Sequence, residues 1–85
     1  MTLARTARFA RDFRSLSPDI QRRAAKQLQL LLDNPRHPSL HIKKMAGIQE
    51  IWEGRVSKGY RFTFQVRHDT YILRRIGTHD ILGNP

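Results

Sequence analysis

The chain has 85 residues and a mass of 10.0 kDa, room for one domain, 1–85, and a small core. Sixteen Lys and Arg against seven Asp and Glu give a formal charge of +9 and a pI near 11.4, which favours a polyanionic partner, nucleic acid before an anionic membrane or an acidic protein. No apolar run approaches the roughly 20 residues of a bilayer span, the arginine-studded segment Met1 to Arg14 is no signal peptide, and the lack of cysteine excludes disulfides, thiolate zinc sites and a cysteine nucleophile, in keeping with a cytoplasmic location.

Leu3 to Ala7 reads as a short strand or a lead-in. From about Arg8 to Leu16, Phe9, Phe13 and Leu16 recur at i, i+4 and i+7, one face of a helix. Ser17-Pro18 then reads as an N-cap followed by proline at the first helical position, where no N–H is lost. The helix it opens runs from about Pro18 to Asp33, with Ile20, Ala24, Leu28, Leu31 and Leu32 as its buried stripe. Pro35 holds Asn34 out of the α region and ends it. Two helices joined by so tight a turn make an αα-hairpin.

Arg36 to Gly47 is a basic connector punctuated by Pro38 and Gly47. Beyond it the period changes to two. Ile48 to Val56 is expected as a strand. Tyr60, Phe62, Phe64 and Val66 alternate with Arg61, Thr63, Gln65 and Arg67, the clearest strand pattern in the chain. Ser57-Lys58-Gly59 and His68-Asp69 are turns, and Thr70 to Gly77 is the next strand. Links this short require antiparallel neighbours. The expected fold is α+β: an N-terminal αα-hairpin packed on a three- to four-stranded antiparallel sheet. On the last strand, period two leaves open which pair looks outward, Ile72 and Ile76 or Tyr71 and Leu73.

His37 and His41 have a spacing that suits a metal on a helix, but Pro38 interrupts such a helix and no cysteine or carboxylate pair is near, so no metal site is expected. There is no Gly-rich phosphate loop and no Ser-His-Asp arrangement. Lys43-Lys44 can clamp phosphate or form a solvated face. Arg55, Arg61, Arg74 and Arg75 come from three neighbouring strands, where side chains directly opposite sit about 5 Å apart. Crowding like charges that closely is unfavourable unless an anion neutralises them. His79, at a strand end, is a group that can move a proton near neutral pH; a surface or capping histidine is the plainer alternative.

Four segments in order are similar to motifs of the RelE/ParE superfamily, small toxins from bacterial toxin–antitoxin pairs. They are Lys43-Lys44-Met45-x-Gly47, Ile51-Trp52-Glu53-x-Arg55-Val56, Gly59-Tyr60-Arg61-Phe62-x-Phe64 and Arg74-Arg75-Ile76-Gly77-Thr78-His79-Asp80. Arg8-Phe9-Ala10-x-Asp12-Phe13-x-x-Leu16 resembles the family's first helix. The resemblance spans nearly the whole chain and is closest to the RelE and YafQ branch. It implies the RelE-like fold and a metal-independent, cofactor-free mRNA endoribonuclease, an mRNA interferase that cuts in the ribosomal A site by 2′-hydroxyl attack.

By position, the resemblance implies catalytic roles for His79, Arg75, Arg61, Lys43 and Tyr60, and RNA contacts for Lys44, Arg55, Lys58 and Arg74. His79 falls on a YafQ catalytic histidine, Arg75 on a YafQ active-site arginine, Arg61 on a RelE arginine and Tyr60 on a YafQ tryptophan. Lys43 and Arg55 replace YafQ histidines, Gly59 replaces an aspartate and Gly83 an aromatic, which leaves proton transfer open between His79 and a lysine, Lys43 or Lys44, as base. The implied partners are mRNA on the ribosome, with 16S rRNA contacts, and a cognate acidic antitoxin that covers outward apolar residues such as Leu73 or Tyr71; no membrane is implied. Two other functions suit the same charge: ParE-like inhibition of DNA gyrase, and RNA binding without catalysis. His79 beside the arginines favours the nuclease, because a gyrase poison needs no general acid. Phe62 and Phe64 read as core rather than as a base-stacking platform.

Overall fold

The structure, a computed structural model, describes residues 1–47 and 50–85. In chain order it comprises β1 (Thr2–Arg5), α1 (Ala7–Arg14), α2 (Pro18–Asp33), a 3-10 turn at Pro38–Leu40, β2 (Lys43–Lys44), β3 (Trp52–Ser57), β4 (Tyr60–Arg67), β5 (Thr70–Thr78) and a second 3-10 turn at His79–Gly83. Thr6 caps α1, its hydroxyl oxygen accepting from the Phe9 amide at 3.1 Å. Ser17 caps α2 in the same way through Ile20 at 3.3 Å, and Pro18 occupies the first turn as the sequence indicates. The buried stripe of α2 is Ala24, Gln27, Leu28 and Leu31, while Ile20 and Leu32 are half-buried.

The sheet has five strands in the order β1-β5-β4-β3-β2. β1 runs parallel to β5 and every other pair is antiparallel. The expected α+β layering therefore holds, but the sheet is larger than the three or four strands anticipated, and mixed. The strands outside the β3–β4–β5 meander, β1 and β2, are short and edge-placed. In β1 only Leu3 is half-buried, so it shows no alternation, and β2 has two residues. β3 begins at Trp52, later than the sequence pattern suggests, because Glu50 sits in a turn at φ +58°. Ile48, the expected start of that strand, lies outside the described residues.

A bulge on β5 resolves its ambiguous face. Thr63 of β4 lies opposite Arg75 and Phe64 opposite Leu73, leaving Arg74 as the extra residue. The phase shifts at Arg74, so Tyr71 and Leu73 before it and Ile76 after it are all buried. Leu73 and Tyr71 are thus core residues, and the expectation that a partner covers them is corrected. They join Phe9, Leu28, Leu31, Phe62 and Phe64 between the helices and one face of the sheet. Phe64 meets Tyr71 edge-on at 5.5 Å between centroids.

β3 passes this core at Gly54, opposite Phe62. A Cβ there would fall 2.3 Å from the ring of Phe62, which is fully buried and has nowhere to turn. Gly54→Ala is expected to cost about 1–3 kcal/mol by overpacking. The check is a lower urea midpoint with an unchanged slope.

Candidate active site

Alternation along β4 places Tyr60, Phe62 and Phe64 towards the helices and Arg61, Thr63 and Gln65 on the opposite face. Across that helix-free face, covered at Thr63 by the C-terminal segment, Lys43, Glu53 and Thr63 form one row, and Arg55, Arg61 and Gly77 the next. Past β5 the chain turns back over the sheet. Ile81 is buried against Gly77, where a Cβ would come within 3.0 Å of its Cγ2. That return brings His79, the first residue of the second 3-10 turn, to the end of the arginine row. The result is a cleft of about 350 Å³ lined by His41, Ile42, Lys43, Glu53, Arg55, Arg61 and His79.

The two arginines face each other directly across β3 and β4. Arg61 is pinned: its Nη1 donates to the carbonyls of Ser57 at 2.9 Å, Tyr60 at 3.0 Å and Lys58 at 3.2 Å. The Arg55 backbone is held from below, where buried Gln27 of α2 donates from Nε2 to its carbonyl at 3.0 Å. The side chain is less satisfied. Arg55 Nε is buried and has no hydrogen-bond partner among the described residues. A buried donor left unpaired costs about 1–3 kcal/mol, and two guanidiniums side by side repel. An anionic ligand between them relieves both costs. Glu53, with a side chain 11% exposed, lies 4.0 Å from Lys43 Nζ and is the one carboxylate among the described residues lining the cleft.

Of the residues singled out in the sequence, His79, Arg61, Lys43 and Arg55 meet in the cleft. Arg75 turns to the sheet edge, where its Nε donates to Asp12 at 2.7 Å and its Nη1 to the Asn84 carbonyl at 3.0 Å. Tyr60 packs against the core on the far side of the sheet. Arg74, the bulged residue, donates to the Pro85 carbonyl at 3.0 Å and to Gln65 Oε1 at 2.9 Å. Lys44 and Lys58 are exposed, on β2 and in the β3–β4 turn.

His41, weighed above only as a metal ligand, and Glu53, quoted only within a motif, also line the cleft. Glu53 lies two residues before Arg55 on the same strand, so alternation carries the signal that finds it, whereas His41 sits in left-handed backbone outside any strand. Among the described residues no group of three His, Asp or Glu is placed to hold a metal, and no helix is long and apolar enough to cross a membrane.

These features define a small basic α+β protein whose open sheet face carries a cationic, histidine-bearing cleft. Its fold is that of the RelE-type toxins. The chain superposes on YafQ from E. coli strain BL21(DE3) with a TM-score of 0.77 at 13% identity, covering 94% of each chain. It superposes on a chain of the RelB-RelE antitoxin–toxin complex from Methanococcus jannaschii with a TM-score of 0.76 at 21% identity, covering 95% of each. A YoeB/ParE toxin from Agrobacterium tumefaciens gives 0.78 at 14% identity, with 93% of this chain and 99% of that one covered. No protein-family model and no curated protein matches the sequence.

Proposed function

We propose that the chain is the toxin of a toxin–antitoxin pair and acts in the cytoplasm as a metal-independent, ribosome-dependent mRNA endoribonuclease. The observation that carries this reading is the facing pair Arg55 and Arg61, with an unpaired buried donor on one of them and the His79 imidazole in the same cleft. In the reaction the 2′-hydroxyl attacks phosphorus, the O2′–P bond forms and the P–O5′ bond breaks, leaving a cyclic phosphate and a 5′-hydroxyl. Arg61, preset by three carbonyls, and Arg55 stabilise charge on the phosphorane. His79 protonates the departing O5′. Lys43, beside Glu53, adds positive charge at the rim, and exposed Lys44 and Lys58 contact the RNA backbone. Arg75, paired with Asp12, acts by fixing the path of β5 into His79.

The +9 charge suits a cognate acidic antitoxin, and among the similar structures is a RelB-RelE antitoxin–toxin complex. Mapping transcript 5′ ends after induction tests the activity. Codon-phased cuts are expected; gyrase-linked DNA breaks would point to the ParE-like function instead, and neither result to RNA binding alone. Co-expression with the neighbouring open reading frame is expected to restore growth and to yield a co-purifying complex.

The cations separate by role. Arg61→Ala is expected to lower the cleavage rate far more than ribosome affinity. Lys44→Ala is expected to weaken binding and reduce its salt slope by about one. Rate and affinity are measured separately at two salt concentrations; an Arg61→Ala variant impaired in affinity alone would refute the phosphorane role.

A further inference from the structure

We propose that His41 is the general base of the cleft and that Arg55 covers its reactive nitrogen until a phosphodiester binds. The inference rests on the endoribonuclease reading above. Arg55 Nη1 lies 3.3 Å from His41 Nε2. A guanidinium has only donors, so a hydrogen bond at this contact makes Nε2 the acceptor and places the ring proton on Nδ1. Nε2 therefore holds the lone pair a base needs, but it is occupied.

The backbone of His41 is firmly set although its ring is exposed. It closes the first 3-10 turn in the left-handed region, at φ 46° and ψ 44°, with its amide bonded to the Pro38 carbonyl at 3.1 Å. Leu40, its neighbour, is fully buried. Left-handed backbone at a non-glycine residue is uncommon and concentrates at functional sites. Here it turns the chain between buried Leu40 and the row that begins at Lys43.

Arg55 links this geometry to substrate. The same guanidinium that covers His41 carries the buried Nε with no partner among the described residues. A phosphate oxygen is an acceptor for that donor. As Arg55 turns to the phosphate, its Nη1 leaves His41 and Nε2 is bared beside the bound phosphodiester. The 2′-hydroxyl proton passes to Nε2 as the O2′–P bond forms, and His79 gives its proton to O5′ as the P–O5′ bond breaks. His41 ends as imidazolium and His79 as neutral imidazole; exchange with water resets both. Glu53 is the competing base, but its carboxylate is recessed in the cleft and faces Lys43.

The test uses ribosomes programmed with mRNA that carries, at the mapped cut site, either the normal linkage or a 5′-bridging phosphorothiolate. A thiolate departs without a proton. His79→Ala is expected to fail on the oxygen linkage and recover on sulfur. His41→Asn, a residue that tolerates left-handed backbone, is expected to lose about 10²-fold on both. Recovery of His41→Asn on sulfur, unchanged cleavage, or a loss found only with Glu53→Gln each overturns the base assignment. A wild-type chain that cuts no mRNA sinks the endoribonuclease reading and the base role together; cutting that His41→Asn matches sinks the base role alone.

Nitrogen NMR of the wild-type protein gives a readout independent of activity. His41 is expected as the Nδ1–H tautomer in the free protein, with Nε2 shifting when a 2′-deoxy analogue of the mapped RNA is added. An Nε2–H tautomer, or no shift on saturation, overturns the covering role of Arg55.

Discussion

His79→Ala is expected to slow mRNA cleavage by about 10²-fold or more, the usual scale for a positioned acid–base group, with the fold unchanged. The imidazole is exposed and starts a turn whose hold on the sheet comes from another residue, buried Ile81. Removing the ring therefore removes chemistry without loosening the chain that carries it. Single-turnover cleavage on programmed ribosomes reads the rate, and thermal unfolding checks the fold. An unchanged rate with an unchanged melting temperature would move the acid role to another group.

Asp12→Ala is expected to destabilise the protein by about 3 kcal/mol, on the scale of breaking a buried ion pair from one side. β1 ends at Arg5, so the edge of β5 beyond Leu73 has no strand beside it. Asp12 of α1 takes that place. Its Oδ2 accepts from Arg75 Nε at 2.7 Å and from the Ile76 amide at 3.1 Å, and the two side chains are 15% and 14% exposed. Truncation leaves Arg75 Nε and the Ile76 amide without their acceptor at once, although Arg75 Nη1 keeps the Asn84 carbonyl. Urea unfolding measures the loss. A double-mutant cycle with Arg75→Ala separates the ion pair from the amide bond, and Asp12→Ala is expected to remain the more damaging single change. Arg75→Ala costing as much would mean that the amide bond contributes little.

The helical half and the long strand were readable because their signals are local. Ser17-Pro18 fixes the start of α2, and the alternating segment Tyr60 to Arg67 has the bounds of β4, although Thr63 on its polar face is fully buried and Val66 on its apolar face is exposed. The rest depends on contacts that no local pattern contains. β1 is a strand because β5 lies beside it, and its four residues bury little. Arg74 and Arg75 look equivalent in sequence, yet the bulge sends one to the C-terminal segment and the other to Asp12. Gln27 is absent from the apolar stripe that marks α2 in the sequence, and its bond to the Arg55 carbonyl appears only once α2 lies on β3. The cleft was half legible for the same reason. Resemblance by position selected Lys43, Arg55, Arg61 and His79, but His41 enters through a backbone conformation that sequence does not announce.

The parallel pairing of β1 with β5 also bears on how the protein assembles. Thr2 lies opposite Thr70, 68 residues away, whereas β3, β4 and β5 are joined by tight turns. Closing so long a loop costs about 3 kcal/mol more in chain entropy than closing the shortest ones, and non-local pairings form slowly for that reason. The meander bearing Arg55 and Arg61 is therefore expected to form early, and β1 to dock after the main barrier. Contacts made after the barrier govern unfolding rather than folding. β1 thus sets how long the folded protein lasts, and the β3–β4 hairpin how fast it forms.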